Sequence, residues 1–215
     1  MAKTRRGPKH TVLSTHVLSD IAYRSVSAAA ADPSQSLVTL LFTCAWIESV
    51  VNVMLDALDD DWGPQLNRVV AVAQEAGVDD RWTSLERRVR VLGAAATGKR
   101  IDFGRSPFQE LGLLFDLRNW CVHWRPEAIV YRGAVRIWKT REAKRFVGRL
   151  VSVGVVPRSA SRHPRTMSDV LHSPRLAPWS YVTGYRVVEE LAAWFPRLRV
   201  LLRLHRPPLP AWTGK

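Results

Sequence analysis

An all-α bundle is the fold class this sequence predicts, and three observations point to it. Apolar residues recur at helical spacing through most of the chain. Two helix starts combine a capping residue with proline. A single short stretch alternates in the manner of strands. With 215 residues, 47% of them apolar, and nine Trp, the chain can bury a sizeable core.

The elements follow in order. Residues 1–9 are a basic arm. Residues 11–31 carry Val12, Val17, Ile21, Val26 and several Ala at helical spacing. Asp32-Pro33-Ser34-Gln35 is a helix start: Asp32 can cap, Pro33 suits the first helical position, and Gln35 falls three residues after the cap. The helix it opens, residues 34–58, is apolar with few polar residues in its middle, notably Glu48 and Asn52, and is expected to be central and buried. Asp59-Asp60-Asp61 ends it, and further helices are predicted over 64–76 and 80–96, the latter stopped by Thr97-Gly98. Ser106-Pro107-Phe108-Gln109 is the best-formed start in the chain. Its helix places Leu111, Leu114, Phe115, Leu117 and Val122 at helical spacing and should stop at Arg125-Pro126, because the residue before proline resists helical geometry.

Residues 129–138 alternate around Arg132-Gly133 and suggest a short hairpin. Residues 142–151 are helical again. The organisation expected is a helical domain over 10–151, a basic Ser/Pro/Arg loop over 152–178, and an extra C-terminal helix over 179–206 packing on the bundle. That last helix reads as amphipathic from Tyr181, with a kink at Pro196. The basic arm at residues 1–9 is followed by no apolar signal core, and no apolar run of about 18 residues is read, so a cytoplasmic chain without a membrane-spanning helix is expected. Cys44 and Cys121 sit in apolar helical patterns without a CxxC partner, which favours buried thiols over a zinc or redox site; a disulfide is the alternative.

Charge is the most marked compositional feature. The formal net charge is +13, with 26 Arg against 6 Lys. Residues 1–80 carry 6 basic and 10 acidic side chains, net −4; residues 81–215 carry 26 and 9, net +17. A GC-rich coding bias explains Arg in place of Lys, but less well this asymmetry, which favours a polyanionic partner for the second part. The planar fork of Arg can donate two parallel hydrogen bonds to a phosphate.

The helix opened by Ser106 contains Leu117-Arg118-Asn119-Trp120-Cys121-Val122-His123, three polar residues that can act on phosphate within an apolar helix. Asn119 and His123 are four apart and share a face. Arg118 and His123 diverge by roughly 140° around the axis, and both can border one groove if a second helix packs alongside.

This segment resembles the Arg-x-x-x-x-His motif of the HEPN superfamily, in the form with Asn directly after Arg. Upstream, Trp46-Ile47-Glu48-Ser49-Val50-Val51-Asn52 is similar to the long helix that precedes the motif in such domains. The resemblance covers roughly residues 10–126 and leaves out the basic loop and the last helix. It implies a metal-independent endoribonuclease without a cofactor, a homodimer whose two motif helices build one groove, and a toxin or defence effector with an antitoxin or a nucleotidyltransferase as a further partner. In that setting His123 would be general base or acid, Arg118 would stabilise the phosphorane-like transition state, and Asn119 would orient His123 or the scissile phosphate by hydrogen bonds. Glu48 and Asn52 would support the site.

Plainer readings stand beside these. Arg118 can be a structural ion pair with Glu48 or Asp116, His123 a helix-end cation, and Asn119 a loop anchor. Arg125, Arg158, Arg162 and Arg165 are candidates to hold RNA backbone, or else solvated loop residues. Trp120 and Trp124 can stack a base, although burial is the commoner role for tryptophan. His and Asp spacings suggest no zinc or two-metal site. A non-catalytic HEPN module that binds RNA or a partner protein is the competing function; a helix-turn-helix DNA binder is weaker, since no short helix pair with a recognition helix is apparent.

Overall fold

The structure is a computed structural model and describes residues 8–61, 84–122, 129–132, 135–138, 141–158 and 166–195. It is an all-α bundle with one short hairpin. The elements are α1 (Pro8–Ala28), α2 (Gln35–Asp61), α3 (Leu85–Thr97), α4 (Phe108–Val122), β1 (Ile129–Arg132), β2 (Val135–Trp138), α5 (Arg141–Ser152), α6 (Met167–Leu171) and α7 (Leu176–Trp194). β1 and β2 are antiparallel, with Ile129 opposite Trp138 and Arg132 opposite Val135. The helix predicted over 64–76 lies outside the described residues.

Local chemistry sets the helix ends. Asp32 accepts the N–H of Ser34 and the side-chain amide of Gln35 just before α2, and the Ser34 hydroxyl foremost, with these two bonds, holds its carboxyl below the ordinary carboxylate value. Ser84 accepts the N–H of Arg87 to open α3, and Gly98, at φ 66°, closes it by donating to the carbonyl of Ala94. Pro107 stands one residue ahead of α4 rather than inside it, and its carbonyl accepts the N–H of Leu111.

α2 is central, as its apolar pattern predicts. It packs against α1, α3, α4 and α7 and buries Leu40, Cys44, Trp46, Ile47, Val50, Val51 and Met54. Over Gln35–Leu55, 21 residues with mean hydropathy 1.8, it is also long and apolar enough to cross a membrane, which corrects the expectation that no such run exists. Thr39, Thr43 and Ser36 break up the run in sequence, but the apolar residues around them outweigh them.

The C-terminal part differs most from expectation. The stretch 152–178 is not one long loop. It contains α6, opened by a reciprocal capping box in which Thr166 accepts the N–H of Asp169 and the Asp169 carboxylate accepts the N–H of Thr166. α7 begins at Leu176, five residues before Tyr181, because Pro178 falls in the first turn, where a missing N–H costs no helical bond. Nor is α7 amphipathic. Leu176, Ala177, Trp179 to Tyr185, Val187, Val188, Leu191 and Ala192 are all buried, so its faces are covered nearly all round. Pro196 lies outside the described residues.

α2 and α7 approach closely at Gly184. A Cβ there would stand 2.3 Å from Cγ2 of Thr43, so only glycine fits without a shift. Trp46 stacks on Tyr181 at 6.0 Å between ring centroids beside this contact.

Candidate functional site

Helical spacing delivers Glu48 and Arg118 to facing sides of α2 and α4. Trp46, Ile47, Val50 and Val51 bury one side of α2 and leave Glu48 at the bundle's edge; Leu113, Leu114 and Leu117 bury one side of α4 and leave Arg118 and Asn119 beside it. The Arg118 guanidinium bridges two acceptors. Its Nη1 donates to Oδ1 of Asn119 at 2.8 Å, and its Nη2 lies 3.5 Å from Oε1 of Glu48. The Arg118 and Glu48 side chains are 28% and 30% exposed, so water still reaches both charges. A pair this long and this wet contributes on the order of 1 kcal/mol or less to stability. Arg118 also stands 5.8 Å from the ring centroid of Phe115, one turn earlier.

These residues line a groove of about 540 Å³ with Arg88 and Glu86 of α3, Phe108, Gly112, Phe115 and Asp116 of α4, and Arg149 of α5. Its charges are largely matched. Asp116 pairs with Arg149 at 3.0 Å, not with Arg118, and Glu86 pairs with Arg90 at 2.6 Å. Asn52, one turn after Glu48, does not reach Arg118; its Oδ1 accepts from Nη1 of Arg88 at 2.5 Å. The Nε of Arg88 is buried and has no hydrogen-bond partner among the described residues. A donor left in that state costs about 1–3 kcal/mol until something accepts from it.

The structure therefore brings together Glu48, Arg118 and Asn119 and ties Asn52 to a different arginine. Arg88, Arg149 and Phe115 join the groove without having been singled out from sequence. Their signal is tertiary: Arg88 and Arg149 meet their partners 36 and 33 residues away, and no spacing rule links such distances. His123, Trp124, Arg125, Arg162 and Arg165 lie outside the described residues. Arg158 is exposed, beyond the end of α5, and does not line the groove. Trp120 is committed to packing, edge-on to Phe146 at 4.6 Å.

Both cysteines are free thiols. Burial pushes the Cys44 thiol far up, with the nearby charge of Arg118 acting the other way. Burial also pushes Cys121 up, to about 11. Among the described residues no three His, Cys, Asp or Glu side chains gather as metal ligands would. Compared with family models, curated proteins and solved structures, the chain finds no match.

Proposed function

We propose that this chain is a metal-independent endoribonuclease of the HEPN type, working as a homodimer in the cytoplasm. The observation that carries the reading is Arg118, held half-exposed between Glu48 and Asn119 at the edge of a groove on the helix that leads into His123. The net charge of +17 over residues 81–215 supports a polyanionic substrate.

RNA brings its own nucleophile, so the chemistry asks little of the protein. His123 takes the proton of a 2′-OH or returns one to the leaving 5′-oxygen, a role suited to a side chain that titrates near neutrality. Arg118 faces the charge that accumulates on the phosphorus oxygens, and Asn119 fixes the direction of the guanidinium. The 2′-oxygen bonds to phosphorus as the bond to the 5′-oxygen breaks, leaving a 2′,3′-cyclic phosphate and a 5′-OH. In this reading the chain acts as a toxin or defence effector, restrained by an antitoxin or by a nucleotidyltransferase that modifies the motif.

One observation favours a second reading, a non-catalytic module of the same kind that binds RNA or a partner protein. Glu48 and Asp116 already engage Arg118 and Arg149, so an incoming phosphate must compete with carboxylates. Purified protein incubated with RNA in excess EDTA separates the two. The nuclease cleaves, and His123→Ala or Arg118→Ala slows it by about a hundredfold or more. Cleavage that needs a divalent metal, or that survives both substitutions, rules the nuclease out. Binding without cleavage, unaffected by His123→Ala, supports the module.

A further inference from the structure

We infer that the part of the groove between α3 and α4 is a subsite for one unpaired nucleotide next to Arg118, with the ring of Phe115 taking the base and Arg88 taking a phosphate. The inference rests on the RNA reading above and adds to it where a neighbouring nucleotide sits and which residues select it.

Three features converge there. The first is space. The groove holds about 540 Å³, within the range of small-ligand sites, and Gly112 keeps its middle open: a Cβ at that position meets nothing within 4 Å. The second is an aromatic wall. Phe115 is half-buried and lines the groove, and Phe108, two turns earlier on the same helix, lines it too, buried and packed on Phe103 at 5.5 Å and on Trp194 at 5.3 Å. A partly exposed aromatic ring on a groove wall is what a nucleobase stacks on.

The third feature is uneven charge. Three guanidiniums line the groove. Arg118 faces Glu48 and Arg149 faces Asp116, while the third carboxylate, Glu86, is taken by Arg90. Arg88 alone of the three has a neutral partner, the amide of Asn52, and keeps an unpartnered Nε–H among the described residues. Among the described residues, the positive charge of the groove that no carboxylate meets is therefore at Arg88. Base and phosphate are offered on neighbouring walls, and a base paired in a duplex could not reach the ring, so the nucleotide must be unpaired.

The test uses the full chain and a fluorescein-labelled 2′-O-methyl oligoribonucleotide, which cannot be cleaved, followed by anisotropy. Gly112→Leu fills the groove from a helical position with free space and should melt at or above the wild-type temperature, as should Gly112→Ala. Expected are binding about tenfold weaker or more for Gly112→Leu, unchanged binding for Gly112→Ala, and a weaker, less salt-dependent interaction for Arg88→Gln. The loss should be confined to single strands and absent for a duplex of the same sequence. Wild-type affinity in both Gly112→Leu and Arg88→Gln overturns the subsite and leaves the RNA reading intact. An equal loss for the duplex also overturns it. If the wild-type chain binds neither strand nor duplex, the RNA reading falls, and the subsite with it.

Discussion

The two sides of α2 have been built for different purposes. Towards α7 it is dry and tight: Thr43 meets Gly184 with no room for a Cβ, and Trp46 lies on Tyr181. Towards α4 it is wet and loose: Glu48 reaches Arg118 across 3.5 Å, and both remain partly exposed. The first contact gains from exclusion of water and close packing and should tolerate little change in volume. The second gains little stability, and its charges stay accessible to a ligand. One helix thus carries a rigid reference on one face and a polar site on the other.

The largest effect on stability should come from the dry side. Gly184→Ala forces a Cβ into Thr43 and is expected to cost about 1–3 kcal/mol in denaturant unfolding. Thr43→Ser removes the opposing Cγ2, so adding it to Gly184→Ala should recover much of that loss, and a double-mutant cycle measures the coupling. Strict additivity of the two substitutions would mean that the contact is not what limits the packing.

On the wet side the pattern should reverse. Glu48→Gln is expected to change unfolding free energy by about 1 kcal/mol or less, yet to alter RNA cleavage several-fold by freeing Arg118 from its carboxylate. Equal, large losses of stability would place Glu48 with the core instead.

Thiol chemistry distinguishes the two depths. With its thiol raised to about 11, Cys121 should react with iodoacetamide slowly at neutral pH and faster as the pH rises towards that value. Cys44, raised further and wholly buried, should label only when the chain unfolds. Rapid labelling of both at neutral pH would show that α2 and α4 part readily.

The smallest effect belongs to Asp32. Its folded pKa lies below the ordinary value, so its contribution is present above that value and fades as the pH falls through the lowered one. Asp32→Ala should lower the melting temperature slightly at neutral pH and not at all in strong acid, as read by circular dichroism.

How far the sequence could be read depended on whether the signal was local. α2, α3 and α4 were legible because helical spacing, Asp32 and Gly98 act within a turn or two. The capping box at Thr166 was equally local but hidden among prolines and arginines, and Pro178 reads as a breaker unless one knows that it lies in a first turn. Glu48 facing Arg118 was one of two alternatives, with Asp116 the other, and was favoured only by the resemblance. Arg88 holding Asn52 and Arg149 holding Asp116 could not be anticipated, because those pairs depend on how helices pack rather than on how residues are spaced. The dry contact at Gly184 was likewise invisible: a glycine in a helix shows nothing of the threonine it faces.

The central claim is that the loosely held Arg118, with His123 after it, cuts RNA through the substrate's own 2′-OH. The direct measurement is the chemistry of the ends, with wild-type protein in EDTA and one strand prepared as all-RNA and as its 2′-deoxy counterpart. The expected result is cleavage of the RNA alone, giving 2′,3′-cyclic phosphate and 5′-OH ends that Arg118→Ala does not produce. Cleavage of the 2′-deoxy strand, or products ending in 3′-OH and 5′-phosphate, would contradict it.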